Sequence, residues 1–131
     1  MKFITRDTDY ALRALMFMAK NGREVFTVDE IARDQRLPRV FLRRILQALA
    51  KGKMLASYKG KEGGFSFSVQ PGRIRVTDII RIFQGDIDLT HCFVGKRICH
   101  NRKTCAFRKK LNSINQMVNR ELGKITIEGL L

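Results

Sequence analysis

Tryptophan is absent from the sequence, and proline and tyrosine occur only twice each among 131 residues. Long apolar runs are also missing, so we expect no transmembrane helix. Near the start of the chain, Asp7 and Asp9 interrupt the apolar residues, which argues against a secretory signal. The three cysteines are too few, and odd in number, for a secreted disulfide scaffold. Together these absences predict a cytoplasmic protein with no membrane partner.

Acidic residues are scarce as well. Twelve Asp and Glu stand against 26 Lys and Arg, which gives a formal net charge of +14 and a pI near 10.5. Apolar residues make up 44% of the chain, which is enough for a hydrophobic core. A chain of this length forms one compact domain and little more. The excess of positive charge predicts a polyanionic partner.

The spacing of apolar residues predicts three helices in the first half of the chain. The first ends at Gly22, a residue that commonly closes a helix. The second begins at Thr27, which forms a capping-box pattern with Glu30, and ends near Gln35. The third follows a short turn and extends to about Lys51. Its expected buried residues are Phe41, Leu42, Ile45, Leu46 and Leu49.

The second half of the chain begins with a predicted β-hairpin. Two strand-like runs, residues 54–58 and 65–69, flank a glycine-rich turn. Thr77 is expected to cap a short helix over residues 78–83, which Gly85 ends. A last helix, residues 105–122, carries an apolar stripe whose coiled-coil-like spacing suits packing on a second copy of itself. The stripe consists of Phe107, Leu111, Ile114, Val118 and Leu122.

This order of elements predicts a mainly α fold: a winged helix-turn-helix with a small β-hairpin wing and a long C-terminal dimerisation helix. Residues 35–61 hold eight basic residues and no acidic residue, so we expect this part to bind double-stranded DNA. Arginines on the third helix suit guanine edges and Gln47 suits adenine, while lysines at the hairpin tip suit phosphates or the minor groove. The predicted contacts are Arg39, Arg43, Arg44, Gln47, Lys59 and Lys61. The alternative for each basic residue taken singly is a charge that only solvates the surface.

Cys92, Cys99 and Cys105 are spaced C-x6-C-x5-C, close enough in sequence to converge on one metal centre. The basic residues between them favour ionised thiols. Structural zinc is a competing interpretation, although its usual closely spaced cysteine pairs are absent. Three free thiols, or one disulfide with a spare cysteine, also fit this spacing. His91 and His100 are further candidate ligands, or exposed loop residues.

Several segments carry a family resemblance. They are Thr8-Asp9-Tyr10-Ala11-Leu12-Arg13, Phe41-Leu42-Arg43-Arg44-Ile45-Leu46, Gly60-Lys61-Glu62-Gly63-Gly64-Phe65, the three-cysteine pattern, and Thr126-Ile127-Glu128-Gly129-Leu130. With these segments the sequence resembles, along essentially its whole length, the Rrf-type bacterial transcription regulators. The resemblance implies a homodimer joined through the C-terminal helices and bound to a two-fold DNA operator. It also implies an iron–sulfur cluster, 4Fe-4S or 2Fe-2S, on the three cysteines and one ligand that is not cysteine.

The resemblance offers two sources for the fourth ligand. In the IscR branch it is a histidine three residues after the third cysteine, where this sequence has Arg108. In the NsrR branch it is an aspartate early in the first helix of the other subunit, and the matching residue here is Asp9. Asp9 also suits the first turn of a helix without any metal, because a carboxylate there opposes the helix dipole. Asp7 is a weaker candidate. The first gap between cysteines is one residue longer than is usual in the family, and Arg43 stands where relatives often have glutamate.

The sequence therefore divides into a DNA-binding domain (1–84), a cysteine-bearing loop (85–105), and a dimerisation helix with its tail (106–131). We expect a transcription regulator, a repressor, whose operator binding is controlled by a cluster that senses nitric oxide, redox state or iron supply. An enzyme is not expected, because no nucleophile–base pair, phosphate-binding loop or catalytic carboxylate pair can be singled out. The alternatives are a regulator of the same fold that senses a small molecule without a cluster, and a zinc-stabilised nucleic-acid-binding module.

Overall fold

The computed structural model describes residues 3–61, 63–89 and 104–131. This part of the chain contains five α-helices and two β-strands. Two single-turn 3-10 helices span Pro71–Arg73 and Glu128–Leu130. The mainly helical fold with one small hairpin confirms the predicted fold class. The elements are α1 (Arg6–Asn21), α2 (Val28–Gln35), α3 (Arg39–Lys51), β1 (Leu55–Tyr58), β2 (Gly64–Phe67), α4 (Val76–Gln84) and α5 (Ala106–Gly123).

The helix ends follow the capping signals in the sequence. At the end of α1, Gly22 takes a left-handed conformation (φ 62°), and its N–H donates to the Met18 carbonyl. At the start of α2, the Glu30 N–H donates to Thr27 Oγ1 (3.2 Å), and the Thr27 N–H donates to the Glu30 carboxylate (3.1 Å). This reciprocal capping box confirms the predicted start of α2. The Thr27 backbone N–H, with help from Arg23, holds the pKa of Glu30 below its usual value.

The hydrophobic core lies where α1, α2, α3 and α4 meet beneath the hairpin. Phe26, in the connection between α1 and α2, is fully buried, and its ring meets the ring of Phe17 edge-on at 5.8 Å. The other large side chains that are completely enclosed are Leu15, Met18, Ile31, Leu42, Ile45, Leu46, Leu49, Leu55, Ile74, Ile79 and Ile80. Four of them come from α3, so one side of this helix is fixed against the core and the other side is free to face a partner.

The hairpin forms a wing that is tied directly to the helical core. Strand β1 pairs antiparallel with β2, from Leu55 opposite Phe67 to Tyr58 opposite Gly64. Backbone hydrogen bonds in both directions, 2.8 and 2.7 Å, join Phe26 to Phe65 of β2. A Cβ at Gly64 would lie 2.3 Å from the Phe26 carbonyl oxygen, so only glycine permits this approach.

Two anchors connect α5 to the rest of the fold. Asn115 Oδ1 accepts a hydrogen bond from the Leu89 N–H (3.0 Å), and Asn119 Nδ2 donates to the Ile87 carbonyl (3.2 Å). After α5 the chain returns to the core, where Ile127 is fully buried and its N–H donates to the Ile74 carbonyl (3.0 Å). Within the described residues, no helix combines the length and apolar character needed to cross a bilayer.

Two local predictions were wrong. Phe41 is not buried in the core but remains 36% exposed, because it lies at the edge of the buried side of α3 and arginine side chains cover its ring instead. Thr77 does not cap α4, because this helix already begins at Val76. The Arg75 N–H at that end donates to the carboxylate of Asp78 (3.2 Å).

Replacing Thr27 with alanine is expected to lower the free energy of unfolding by about 1 kcal/mol, because the Glu30 N–H loses its acceptor. Urea denaturation followed by circular dichroism measures the effect. The matched control is T77A in the first turn of α4, where the hydroxyl caps nothing and the change should be within about 0.5 kcal/mol. An equal loss in both variants would contradict the capping role.

Candidate nucleic-acid interface and cysteine site

The outward face of α3 is exposed, polar and basic. Leu42, Ile45, Leu46 and Leu49 bury one side of the helix, which turns Arg43, Arg44 and Gln47 toward solvent. The structure therefore places these three predicted contacts on an accessible surface. Side chains three and four residues apart lie next to each other on a helix, so these residues form one continuous patch. An exposed helix face of this kind has the shape and donors that a major groove accepts.

Arg39 has a more specific environment than helical spacing alone predicts. Its Nε donates to the carboxylate of Asp29 on α2, and both side chains are more than half exposed. This ion pair joins the two helices of the helix-turn-helix at the start of α3. Because the contact engages Nε, the terminal N–H groups of the guanidinium can still donate to an anion.

The tip of the wing carries the predicted lysines. Lys59 and Lys61 are exposed on either side of Gly60, whose positive φ of 107° makes the turn. Gly63 closes this turn by donating its N–H to the Gly60 carbonyl (3.0 Å). The wing thus presents two cations at its outer end.

Two residues of this surface were not predicted from the sequence. Val40, near the start of α3, is 78% exposed and shares the outward face, since it lies four residues before Arg44. The helical spacing contains that signal, although a search for basic residues alone does not find it. Arg6, the first residue of α1, lies over the ring of Phe41 with its guanidinium carbon 5.0 Å from the centroid. No local pattern predicts this contact, because 35 positions separate the two residues in sequence.

Asp9 lies in the first turn of α1, as predicted. Its carboxylate pairs with Arg13 Nε one turn further along (3.0 Å), and the side chain of Asp9 is 43% exposed. The same turn is linked to the end of α4 by Gln84. The Oε1 atom of Gln84 accepts hydrogen bonds from the Thr5 N–H (3.0 Å) and from the hydroxyl of the fully buried Thr8 (2.8 Å).

Cys105 immediately precedes α5 and is a half-buried free thiol. Cys92 and Cys99, together with His91 and His100, lie outside the described residues. Within the described ranges, no three potential metal-binding side chains come together.

The apolar stripe of α5 is only partly covered by the chain itself. Phe107 is 70% exposed and Ile114 is 48% exposed, while Leu111, Val118 and Leu122 are intermediate. Met117, which is not part of the predicted stripe, adds to the same side and is 60% exposed. Three large exposed apolar side chains on one helix form a surface that a second protein chain can cover.

The helix-turn-helix, the basic outward face of α3 and the glycine-rich wing define a winged-helix DNA-binding protein. The family comparison agrees: the pattern of the Rrf2 family, described as iron-dependent transcriptional regulators, matches residues 4–131. The chain belongs to this family. It is a transcriptional regulator and not an enzyme, as the sequence predicts.

Comparisons with individual proteins agree with this family assignment. NsrR of Bacillus licheniformis, an HTH-type transcriptional regulator, is 28% identical over 130 residues, with coverage of 98% of this chain and 91% of the relative. The structure of CymR, the global cysteine regulator of B. subtilis, matches with a TM-score of 0.82 at 24% identity, covering 99% of this chain and 96% of CymR. The structure of IscR from T. potens has a TM-score of 0.77 at 21% identity, covering 99% and 85%. The two structural likenesses bear on the fold alone.

Proposed function

We propose that the protein is a cytoplasmic, dimeric repressor whose operator binding is controlled by an iron–sulfur cluster. The observation that carries the DNA part is the position of Arg43, Arg44 and Gln47 on the exposed side of a helix whose other side is fixed in the core. In the major groove Arg43 reads guanine and Gln47 reads adenine, while Val40 contacts a thymine methyl group. Arg39 keeps its ion pair with Asp29 and turns its terminal N–H groups toward phosphate, as do Lys59 and Lys61 of the wing.

The homodimer forms through α5. Burial of Phe107, Ile114 and Met117 against the same residues of a second chain removes the exposed apolar side of this helix from water. A two-fold dimer places two copies of α3 on one side of the assembly, and each binds one half-site of the operator. The half-sites lie about one helical turn, ~34 Å, apart.

Cys92, Cys99 and Cys105 are the proposed cluster ligands, with Asp9 of the other subunit as the fourth. The donor set fits, because thiolates are the ligands that iron–sulfur clusters take. Cys105 is a free, half-buried thiol, and the Asp9 carboxylate is accessible with only an exposed ion pair to give up. When bound, the cluster supplies a centre that reacts with nitric oxide or oxidants, or that is lost when iron is short.

Contacts around α1 connect the cysteine segment to the DNA-binding face. Gln84, the last residue of α4, holds the first turn of α1 through Thr5 and Thr8, and residue 85 begins the segment that carries the cysteines. Arg6, in the same turn as Asp9, contacts Phe41 of α3. A change in the ligation of Asp9 therefore acts on a turn that touches both α4 and the recognition helix, which biases the position of α3.

The test is purification without oxygen, followed by a visible spectrum with iron and acid-labile sulfide assays on the same sample. The proposal predicts a brown protein that absorbs near ~400 nm and contains matched iron and sulfide. Operator binding should then change when nitric oxide is titrated in. A protein that stays colourless after anaerobic reconstitution contradicts the cluster and favours the cluster-free regulator. About one zinc per chain favours the zinc module instead.

Replacing Asp9 with alanine is expected to lower cluster retention sharply while leaving the fold intact. Its side chain forms an exposed ion pair with Arg13, and such a pair contributes about 0.5 kcal/mol or less to stability. Iron content after gel filtration, and the rate at which the visible absorbance is lost in air, measure retention. Asp7→Ala, two residues earlier, is the control and should keep its cluster. Unchanged iron and spectrum in Asp9→Ala would exclude Asp9 as a ligand.

A further inference from the structure

We propose that Arg6 and Arg44, held by the ring of Phe41, form a clamp for the phosphodiester backbone of DNA at the edge of the recognition helix. The inference rests on the proposed DNA contact of α3 and extends it to α1, from which no DNA contact has been derived. It also assigns Phe41 a role as a positioning residue.

The geometry centres on one aromatic ring. The guanidinium carbons of Arg6 and Arg44 lie 5.0 and 5.2 Å from the centroid of Phe41, both within the range of a cation–π contact. The two arginines come from different helices, α1 and α3, and both are exposed. One aromatic ring is therefore in contact with two cations, one from each helix.

The positive charges of Arg6 and Arg44 favour an anion as the ligand of this site. In the described part of the chain, neither Arg6 nor Arg44 has a carboxylate within ion-pair distance, unlike Arg13, Arg23 and Arg39. Two like charges held at one ring repel each other, and a shared anion relieves that repulsion. Guanidinium groups bind phosphate with two parallel hydrogen bonds, and stacking on the ring fixes the plane in which those donors point.

The position of the two arginines beside the outward face of α3 favours a phosphodiester of DNA over a free anion as the ligand. Arg44 belongs to the same face of α3 as Arg43 and Gln47, and Phe41 lies at the edge of that face. When a helix occupies the major groove, its flanks meet the phosphates of the groove walls. Arg6 therefore reaches the backbone of a strand whose bases α3 contacts.

The test is the salt dependence of binding to a random-sequence DNA duplex, since phosphate contacts do not depend on sequence. With about four phosphate contacts per protomer in a dimer, the wild-type slope of log affinity against log salt is about −7. Arg6→Gln should reduce the magnitude of the slope by about 0.9 per bound protomer, and affinity at ~0.1 M salt should fall by roughly eightfold per protomer. Arg120→Gln, which removes the same charge from an exposed site near the end of α5, is the matched control and should leave the slope unchanged.

Variants of Phe41 test its positioning role. Phe41→Tyr keeps the stacking surface and should retain the slope and the affinity, whereas Phe41→Leu keeps apolar bulk without a π face and should weaken binding. Arg6→Gln should then cost less in the Phe41→Leu background than in the wild type, because the two residues act together. Thermal melting by circular dichroism checks that every variant is folded.

The outcomes are distinguishable. Equal slopes for Arg6→Gln and Arg120→Gln, with a steep wild-type slope, would overturn the clamp and leave DNA binding by α3 intact. A flat salt response of the wild type would overturn the proposed DNA contact and the clamp together. Equal binding by Phe41→Tyr and Phe41→Leu would remove the positioning role of the ring.

Discussion

Substitution of Cys105 with serine is expected to reduce bound iron and sulfide to background. Iron–sulfur clusters are held by thiolates, and a serine hydroxyl, which is protonated at neutral pH, is a poor replacement for a soft sulfur ligand. The remaining candidates, Cys92, Cys99 and Asp9, would leave one coordination position of the proposed site empty. The colour of the anaerobically purified protein, its iron and sulfide content, and the response of operator binding to nitric oxide measure the effect.

The position of Cys105 allows the loss of a cluster ligand to be distinguished from a loss of stability. The residue precedes α5 as its N-cap and makes no capping hydrogen bond there, while serine is among the favoured N-cap residues. The substitution should therefore leave the thermal stability of the cluster-free protein unchanged or slightly raised. Full iron content and an unchanged spectrum in the serine variant would show that Cys105 is not a ligand. A loss of helicity would instead indicate a structural role.

Replacing Phe26 with alanine is expected to lower the free energy of unfolding by about 3–5 kcal/mol. The side chain is fully buried, packs edge-on against Phe17, and has the guanidinium of Arg23 over its ring at 5.0 Å. Its backbone also bonds to Phe65, so the cavity would open where the helices meet the wing. A loss of ~4 kcal/mol shifts the ratio of folded to unfolded protein about a thousandfold. Urea denaturation measures the change.

Phe26→Leu provides the control, because it keeps most of the volume and should cost less than about 1.5 kcal/mol. We also expect Phe26→Ala to weaken DNA binding more than its fraction of unfolded protein explains, since the wing loses its support. A loss below about 1 kcal/mol in Phe26→Ala would show that the neighbouring side chains collapse into the space. The backbone bonds to Phe65 would then hold the wing without the ring.

The parts of the fold that follow local rules could be predicted from the sequence. The capping box at Thr27 and the left-handed Gly22 depend on residues within one turn, and both lie where the pattern places them. Phe41 was mispredicted because it sits at the border of the buried stripe, where a distant residue, Arg6, decides what covers it. Thr77 was mispredicted because α4 begins before this hydroxyl, with Asp78 accepting a bond from the Arg75 N–H.

The candidate site also combines features that the sequence predicts with features that depend on distant residues or on a second chain. Exposure of Arg43, Arg44 and Gln47 follows from helical spacing alone, so the sequence was sufficient for the face of α3. The pairing of Arg39 with Asp29 joins two helices across a turn, which spacing within one helix does not reveal. A cluster ligated by Asp9 of a second chain depends on an assembly, and periodicity in one chain carries no information about that distance. The family resemblance is the source of this hypothesis.

The two attachments of α5 have a mechanical consequence. Asn115 and Asn119 fasten the middle of the helix to residues 87–89, and the buried Ile127 fastens the chain beyond its end to Ile74. A helix held at two separated points is less free to tilt than a helix held at one, so these contacts couple α5 to the DNA-binding half. In a dimer, a small change in the angle between the two α5 helices would then displace the two α3 helices by a larger distance, because α3 lies further from the dimer contact. A shift of a fraction of an ångström at the dimer contact could then determine whether both α3 helices fit the two half-sites of one operator.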